Sequence, residues 1–299
     1  MRAVEPAETG LVERPDGVRI AYEVFGSREP TILLQPTTPI VHSRQWKAQV
    51  AYLSRHHRVV TYDGRGNGRS DRPTDPAAYE EDRIVGDLEA VMDATGTPRA
   101  VIVGLCGDGV LRAFELAAAK PERVAGIVAI AVGLPFLVPP HPWRAAKSFT
   151  DPYATYDGWR KENVNYWRLD YPDFARWFFE EMTPEPHSTK QVDDAVEWAL
   201  DGDPEAMIAE AHVEMVPPFP VDAAAAEALA LAVRCPMVIV HGTDDRCQPP
   251  ERARRLHELT GAPLVMVEGG GHMLPGRQPV LVKLVIRDFM RSRVEEAIH

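Results

Sequence analysis

Short apolar runs alternate with helical patterns along the first half of the chain. Alternating apolar and polar residues at 18–24, after a Pro-Asp-Gly turn, predict a strand. Continuous apolar runs at 31–34, 59–62, 100–103 and 126–132 predict buried strands. Ile84, Leu88, Val91 and Met92 share one face of a predicted helix, and residues 110–119 predict another. Buried strands separated by helices are typical of an α/β fold, with a mostly parallel sheet that has helices on both faces.

The alternation stops in the middle of the chain and resumes near its end. Strands are predicted at 236–240 and 263–267, and helices at 251–260 and 280–290. Residues 135–230 hold five of the six tryptophans and many prolines, without a strand–helix–strand unit. We therefore predict a mainly helical cap over residues 135–230, on a core formed by residues 1–134 and 231–299. The cap aromatics either line a pocket or build only the cap's own core.

Composition narrows the class of protein. The chain has 299 residues, 45% of them hydrophobic, which excludes collagen-like, coiled-coil and wholly disordered chains. A net charge of -11 without a basic run argues against a nucleic-acid partner. The sequence has neither the roughly 18 to 20 apolar residues of a membrane span nor a signal-peptide pattern at its start. We expect a cytoplasmic protein that binds a small-molecule substrate, with no membrane partner, and the pattern predicts no particular oligomeric state.

The cysteines and glycines exclude some cofactors. Cys106, Cys235 and Cys247 are odd in number and widely spaced, which fits neither a disulfide framework nor a zinc site. The glycines at 104, 107 and 109 have the reverse of the dinucleotide-binding spacing. We therefore expect no metal and no cofactor.

Residues 100–109 (AVIVGLCGDG) carry the clearest chemical signal. A buried strand that turns sharply into a helix projects one side chain above the sheet edge, at a helix N-terminus that favours an anion. Cys106 has this position, where a thiolate would be a nucleophile and the N–H of Gly107 could donate to an oxyanion. The alternative is that Cys106 is a small buried apolar residue.

This turn resembles the nucleophile elbow of the α/β-hydrolase superfamily, with Cys106 where serine is usual. Gln35-Pro36 stands where the family has its His-Gly oxyanion loop, and residues 63–73 (DGRGNGRSDRP) and 121–124 (PERV) also resemble family segments. The motif departs at Asp108, because the expected glycine comes one residue later, at Gly109. We infer a one-residue insertion or bulge just after Cys106, and we expect Asp108 to oppose thiolate formation.

Two looser resemblances accompany this one. Residues 185–191 (EPHSTKQ) are similar to stretches of hydrolase-like domains found beside nucleotide cyclases. The cysteine at the elbow also resembles that of dienelactone hydrolases. Neither resemblance identifies a substrate.

The hydrolase resemblance also implies a base and an acid, in the chain order nucleophile, acid, histidine. His272, in a glycine-rich loop after the last predicted strand, is the candidate base. Asp245 in HGTDD is the candidate acid, with Asp244 as the alternative, and His241 is interpreted as structural. Thr37 is the candidate for the second oxyanion donor, with Thr38 as the alternative. Nothing in the sequence recommends Cys247.

Together these residues predict hydrolysis of an ester, lactone or thioester through a Cys106–His272–Asp245 triad and a thioester intermediate. Trp46, Trp143, Trp159 and Trp167 are the candidate substrate-binding residues, although Trp46 could equally belong to the core. An aromatic, lysine-poor cap favours an apolar or aromatic substrate. The alternatives are a non-catalytic binding protein, an acyltransferase, a carbon–carbon bond hydrolase, and an engineered Cys106 in place of serine.

Overall fold

Eight strands form one sheet, in the order β1-β2-β4-β3-β5-β6-β7-β8. The computed structural model describes residues 4–134, 137–186, 189–215 and 223–295. Strand β1 pairs antiparallel with β2, and β2 with β4, whereas the remaining neighbours are parallel. The strands are β1 (Glu8–Glu13), β2 (Arg19–Phe25), β3 (Thr31–Leu34), β4 (Val59–Tyr62), β5 (Ala100–Leu105), β6 (Val124–Ile130), β7 (Met237–Gly242) and β8 (Leu264–Val267).

Helices cover both faces of the sheet, which confirms the predicted fold class. The α-helices are α1 (Lys47–Leu53), α2 (Glu81–Ala94), α3 (Cys106–Ala119), α4 (Pro142–Ala145), α5 (Val164–Met182), α6 (Lys190–Leu200), α7 (Pro204–Met215), α8 (Ala223–Ala232), α9 (Pro250–Thr260), α10 (Leu274–Arg277) and α11 (Pro279–Phe289). Short 3-10 turns lie at Ser43–Trp46, Pro76–Tyr79, Pro121–Arg123 and Gly158–Lys161, and a π-helical segment at Met290–Glu295.

Alternate strand residues enter two separate cores. Ile102 of β5 packs in the core that also holds buried residues of α2, α3, α8 and α9. Its neighbours Val101 and Val103 pack in the core formed with α1 and α11. Successive side chains of a strand point to opposite faces, so continuous apolar runs such as β5 are buried on both.

The regular elements described between β6 and β7 are all helices, joined by loops. Helices α5, α6 and α7 share a third apolar core, separate from the two cores against the sheet. Helix α8 instead packs against α3 and α9 through Ala226 and Ala230. The predicted cap boundary at residue 230 therefore falls inside α8, a helix that packs with those covering the sheet. The division into core and cap stays a prediction. Residues 135–136 and 216–222 of that cap, and residues 187–188 of the segment 185–191, lie outside the described residues.

The turn from β5 into α3 depends on two glycines. A Cβ added at Gly104 would lie 2.3 Å from the carbonyl oxygen of Gly109. Helix α3 is continuous from Cys106 to Ala119, so the bulge expected after Cys106 is absent from these described residues. Gly109, three residues after Cys106, is the position where α3 contacts the strand, and this explains the shifted glycine of the motif. Among all the described helices, none is both long and apolar enough to cross a membrane.

Candidate active site

The loops after four parallel strands meet at one edge of the sheet. Thr37 follows β3, Cys106 follows β5, Asp245 follows β7, and His272 follows β8. These strands lie side by side with β6 between β5 and β7, so their carboxyl ends share the edge where ligands bind in α/β sheets. The sheet topology thus brings together residues far apart in the chain.

Cys106 is the first residue of α3 and has a left-handed backbone conformation, with φ 66°. This conformation costs an L-residue about 1–2 kcal/mol, and such strain is concentrated at functional sites. Because Cys106 begins the helix, its sulfur lies near the unpaired N–H groups of the first turn. The backbone therefore holds this side chain at the sheet edge.

His272 and Asp245 are joined by a hydrogen bond. His272 Nδ1 lies 2.8 Å from Asp245 Oδ2, and both side chains are buried. Asp245 Oδ1 accepts hydrogen bonds from the backbone N–H groups of Cys247 and Gln248, each at 2.8 Å. The alternative acid, Asp244, is exposed, and its carboxylate accepts a hydrogen bond from Thr243 Oγ1. The structure thus brings Asp245, and not Asp244, to His272.

His241 supports Asp245 from the other side. Its Nε2 lies 3.3 Å from Asp245 Oδ2 and 3.1 Å from the carbonyl oxygen of Gln248. The backbone N–H of Val132 donates to Nδ1 at 3.0 Å, so the ring proton is on Nε2 and faces these two acceptors. The predicted structural role of His241 therefore includes orienting the carboxylate.

These contacts shift the pKa values of the pair in opposite directions. Burial raises the pKa of Asp245, but His272 and His241 outweigh it and hold that pKa below the usual range. Burial lowers the pKa of His272, but the Asp245 carboxylate and the Cys106 sulfur raise it to about 10. Asp245 is therefore ionised at neutral pH and stabilises the imidazolium form of His272.

Cys247 is the functional candidate that sequence reasoning missed. The sulfurs of Cys106 and Cys247 and one ring nitrogen of His272 lie within 4.8 Å of one another. Gln248 Nε2 lies 3.5 Å from Cys106 Sγ and 3.6 Å from Cys247 Sγ. The contact with Cys247, together with burial, raises the pKa of the Cys106 thiol well above its usual value, although the charge of His272 opposes the rise. Its place in the sequence could have indicated this role, because Cys247 lies in the loop at the carboxyl end of β7, close to Asp245.

A cavity of about 370 Å³ opens above Cys106. One wall carries cations that are half-buried (Arg144 and Lys147) or buried (Arg252). Arg144 donates to Cys247 Sγ at 3.0 Å and to Glu162 Oε1 at 2.8 Å, and Lys147 also pairs with Glu162. Behind them Arg252 donates to Gln248 Oε1, and burial and Arg144 lower the pKa of Arg252 to about 10. This wall was not predicted, because no local pattern marks a contact between the segment 137–186 and the β7 loop.

Another wall of the cavity is acidic. Glu210 is buried, and its pKa is raised well above the usual value by burial and by the nearby Asp108 carboxylate. Arg112 lies 3.9 Å from Asp108 and 3.8 Å from Glu210. Asp108 also accepts from Thr37 Oγ1 at 3.5 Å. Charged side chains of both signs, among them Arg144 and Asp108, thus line the cavity together with apolar side chains.

The two candidate oxyanion donors lie on the cavity with Cys106. Gly107 is the second residue of α3, so its N–H has no partner within the helix. Thr37 lines the same cavity, as does the alternative Thr38. The preceding Gln35 is held by its carbonyl, which accepts from Trp46 Nε1 at 2.9 Å, and by its N–H, which donates to Val103.

The four candidate substrate-binding tryptophans lie in different surroundings, and one of them lines the cavity. Trp167 lines the cavity. Trp46 is completely buried in the core against α1 and α11, so its assignment to substrate binding is corrected: the indole fills the core and fixes the Gln35 carbonyl. Trp143 is 45% exposed and stacks on His141, while Trp159 packs against Trp177 and lies beside Arg144. Neither Trp143 nor Trp159 is among the described residues of the cavity wall.

Comparisons with known proteins agree with this architecture. The family described as alpha/beta hydrolase fold matches residues 30–276. A non-heme chloroperoxidase of Streptomyces lividans is 27% identical over 95% of this chain and 100% of its own length. A bifunctional esterase/perhydrolase of Acinetobacter calcoaceticus is 28% identical over the same shares.

The fold is also shared with a solved structure. A thermophilic esterase from Thermogutta terrifontis superposes with a TM-score of 0.76 at 22% identity, over 96% of this chain and 100% of that one. The relatives support a hydrolase of this fold. From the family match and the geometry of its sheet, the chain belongs to the alpha/beta hydrolase fold family.

Proposed function

We propose that this protein hydrolyses ester, lactone or thioester bonds of apolar or aromatic small molecules, with Cys106 as a covalent nucleophile. The observation that carries the proposal is the 2.8 Å contact between His272 Nδ1 and Asp245 Oδ2. It leaves the second nitrogen of His272 to face Cys106 at the floor of the cavity. A nucleophile, a base and a group that orients the base form the arrangement that acyl transfer requires.

The first half-reaction forms a thioester. His272 Nε2 accepts the proton of the Cys106 thiol while the sulfur attacks the carbonyl carbon of the substrate. The backbone N–H groups of Gly107 and Thr37 donate to the resulting oxyanion, and one such donor is typically worth about 3 to 4 kcal/mol. The tetrahedral intermediate collapses, the alcohol leaves with the proton from His272, and the acyl group remains on Cys106.

The second half-reaction restores the thiol. His272 accepts a proton from water, whose oxygen attacks the thioester carbon. The second tetrahedral intermediate expels the Cys106 sulfur, which recovers its proton from His272, and the carboxylic acid departs. Asp245 keeps the His272 ring in one tautomer throughout and stabilises its positive charge.

The cavity wall supports an apolar or aromatic acyl group. The apolar side chains around it include Ile40, Leu111, Phe149, Trp167, Phe178 and Met207. Such a cavity buries most of a small molecule, and its few polar groups fix the orientation of the bound molecule. The name of the Acinetobacter relative, a bifunctional esterase/perhydrolase, supports the choice of ester bonds.

Nitrophenyl esters of increasing acyl length test the proposal. We expect the wild type to hydrolyse them, Cys106→Ala to lose hydrolysis, and Cys235→Ala, which changes a thiol away from the cavity, to keep it. A slow activated ester should add its acyl mass to Cys106 in the peptide map. Unchanged hydrolysis in Cys106→Ala would overturn the nucleophile. Ligand binding without turnover by the wild type would favour the non-catalytic binding protein, and acyl passage to an added alcohol or amine the acyltransferase.

A further inference from the structure

Three side chains at the cavity floor form a set of metal-ligating atoms that the proposed hydrolysis only partly uses. Cys106 and His272 take part in that reaction, whereas Cys247 does not. Their two sulfurs and one ring nitrogen lie within 4.8 Å of one another. Two thiolates and an imidazole are ligands that zinc and related thiophilic cations prefer.

The distances are close to those of a real site. Zinc binds thiolate sulfur at about 2.3 Å and imidazole nitrogen at about 2.0–2.1 Å, so tetrahedral ligands stand roughly 3.5 to 3.8 Å apart. The present spread of up to 4.8 Å requires the ligand atoms to move closer together by at most about 1.0–1.3 Å. Cys247 and His272 are both buried, and Cys106 is half-buried, so the ligands sit in a largely dry environment.

The surroundings orient the ligands as in known metal sites. Asp245 binds His272 Nδ1 at 2.8 Å, which leaves Nε2 for a metal. Such carboxylate–histidine pairs are the usual support of a metal-binding imidazole. Gln248 Nε2 lies 3.5 and 3.6 Å from the two sulfurs, and Arg144 donates to Cys247 Sγ at 3.0 Å. These donors hold the two sulfurs in place, as polar groups around metal ligands do.

We propose that Cys106, Cys247 and His272 form a binding site for a thiophilic divalent cation such as Zn²⁺, with its fourth coordination position toward the cavity. Two thiolates balance the charge of the cation, so the loaded site adds no net buried charge. Binding displaces the two thiol protons and the Nε2 proton of His272, and the electron pairs so released bind the cation. The inference goes beyond the proposed hydrolysis: if that function holds, the cation blocks the nucleophile and the base together and acts as a reversible inhibitor.

The test uses Cd²⁺ as the probe, on the full chain kept reduced by a phosphine. Cadmium–thiolate bonds have a strong ultraviolet charge-transfer absorption that other protein ligands do not produce. We expect one equivalent of Cd²⁺ to give this absorption, and Zn²⁺ to displace it. Cys247→Ser, Cys106→Ser and His272→Gln should each weaken binding more than about tenfold, and Asp245→Asn by about 10–100-fold. Cys235→Ser is the matched control and should bind like the wild type.

Absence of the absorption in the wild type overturns the site, as does equal binding by Cys247→Ser or loss of binding in Cys235→Ser. Circular dichroism of each variant identifies any that fail to fold, and the conservative Cys247→Ser then decides. Binding is read without substrate, so failure of the two proposals is distinguishable. If hydrolysis survives in Cys106→Ala, the proposed nucleophile is wrong, but cadmium binding by the wild type still supports the metal site. If hydrolysis is lost in Cys106→Ala but the wild type does not bind cadmium, only the metal site is wrong.

Discussion

Arg144 donates a hydrogen bond to the sulfur of Cys247 over 3.0 Å. The same guanidinium pairs with Glu162, which also pairs with Lys147, and Glu162 is buried. One carboxylate therefore holds two cations at the wall of the cavity, beside the two sulfurs. The electrostatic state of the candidate active site depends on a residue of the helical segment rather than of the sheet.

Replacing Glu162 by Gln should lower the free energy of unfolding by about 3–5 kcal/mol, because it leaves two largely buried cations without their carboxylate. Urea denaturation at neutral pH measures the change. Glu205→Gln is the matched control, since the Glu205–Arg168 pair is about half exposed and such pairs contribute about 0–1 kcal/mol. Equal effects of the two substitutions would contradict the role given to Glu162.

Removing the charge of Asp245 should lower kcat by about 10³–10⁴-fold with little change in KM, because His272 then loses its correct tautomer. Steady-state hydrolysis of a nitrophenyl ester measures this, with circular dichroism to check the fold. Asp244→Asn changes the neighbouring carboxylate, which does not contact His272, and should retain nearly full activity. A larger loss in Asp244→Asn than in Asp245→Asn would assign the acid to the other residue.

Hydrolysis should rise with pH well above the ordinary histidine value of 6.5. In the proposed mechanism His272 acts as a base only after it loses its proton, and Asp245 and Cys106 raise its pKa to about 10. We therefore expect the ascending limb of kcat/KM to lie between pH 6.5 and about 10, as a property of the coupled Cys106–His272 pair. An ascending limb at or below pH 6.5 would contradict this.

The same shift has a consequence for stability. A pKa raised on folding stabilises the protein fully below the unfolded value of 6.5, and the contribution is lost as pH rises through about 10. The contribution of His272 to the free energy of unfolding, taken as wild type minus His272→Gln, should therefore decline between these values. Denaturation curves of both proteins across this range measure it, and a contribution that increases with pH would have the wrong sign.

The elbow should tolerate no side chain at Gly104. A Cβ there would lie 2.3 Å from the Gly109 carbonyl oxygen, so Gly104→Ala must push α3 away from β5 and should cost about 1–3 kcal/mol or more. Thermal unfolding and ester hydrolysis should both be impaired. Gly276→Ala is the matched control, since its Cβ would meet nothing closer than 3.7 Å. Equal stability of both variants would contradict the close packing.

The parts of the fold that sequence predicts are those with a local signal. The runs that became β3, β4 and β5 are apolar on both faces, whereas the edge strand β1 (ETGLVE) is largely exposed and was missed. Cys106, Asp245 and His272 follow strands whose carboxyl ends coincide, so topology alone brings them to one edge. The same edge carries the cluster of Cys106, Cys247 and His272.

The remainder of the site depends on contacts that no local pattern encodes. Arg144 reaches Cys247 across 103 positions of the chain. The sequence offers Trp46 as a substrate-binding residue or a core residue. Its indole N–H donates to the carbonyl of Gln35, 11 residues earlier, and this contact helps to hold the ring in the core. Both contacts follow from how the elements pack, which periodicity does not specify.

The loop with His272 follows β8, which is an edge strand of the sheet and the last strand in the described chain, whereas the elbow follows a central strand. A chain that has paired every strand but this one already has the proposed nucleophile, Cys106, in position but lacks the proposed base, His272. Contacts between such distant segments form late because closing long loops is entropically costly. During refolding, hydrolytic activity should thus return later than the central strands become buried, at the time when β8 joins the sheet.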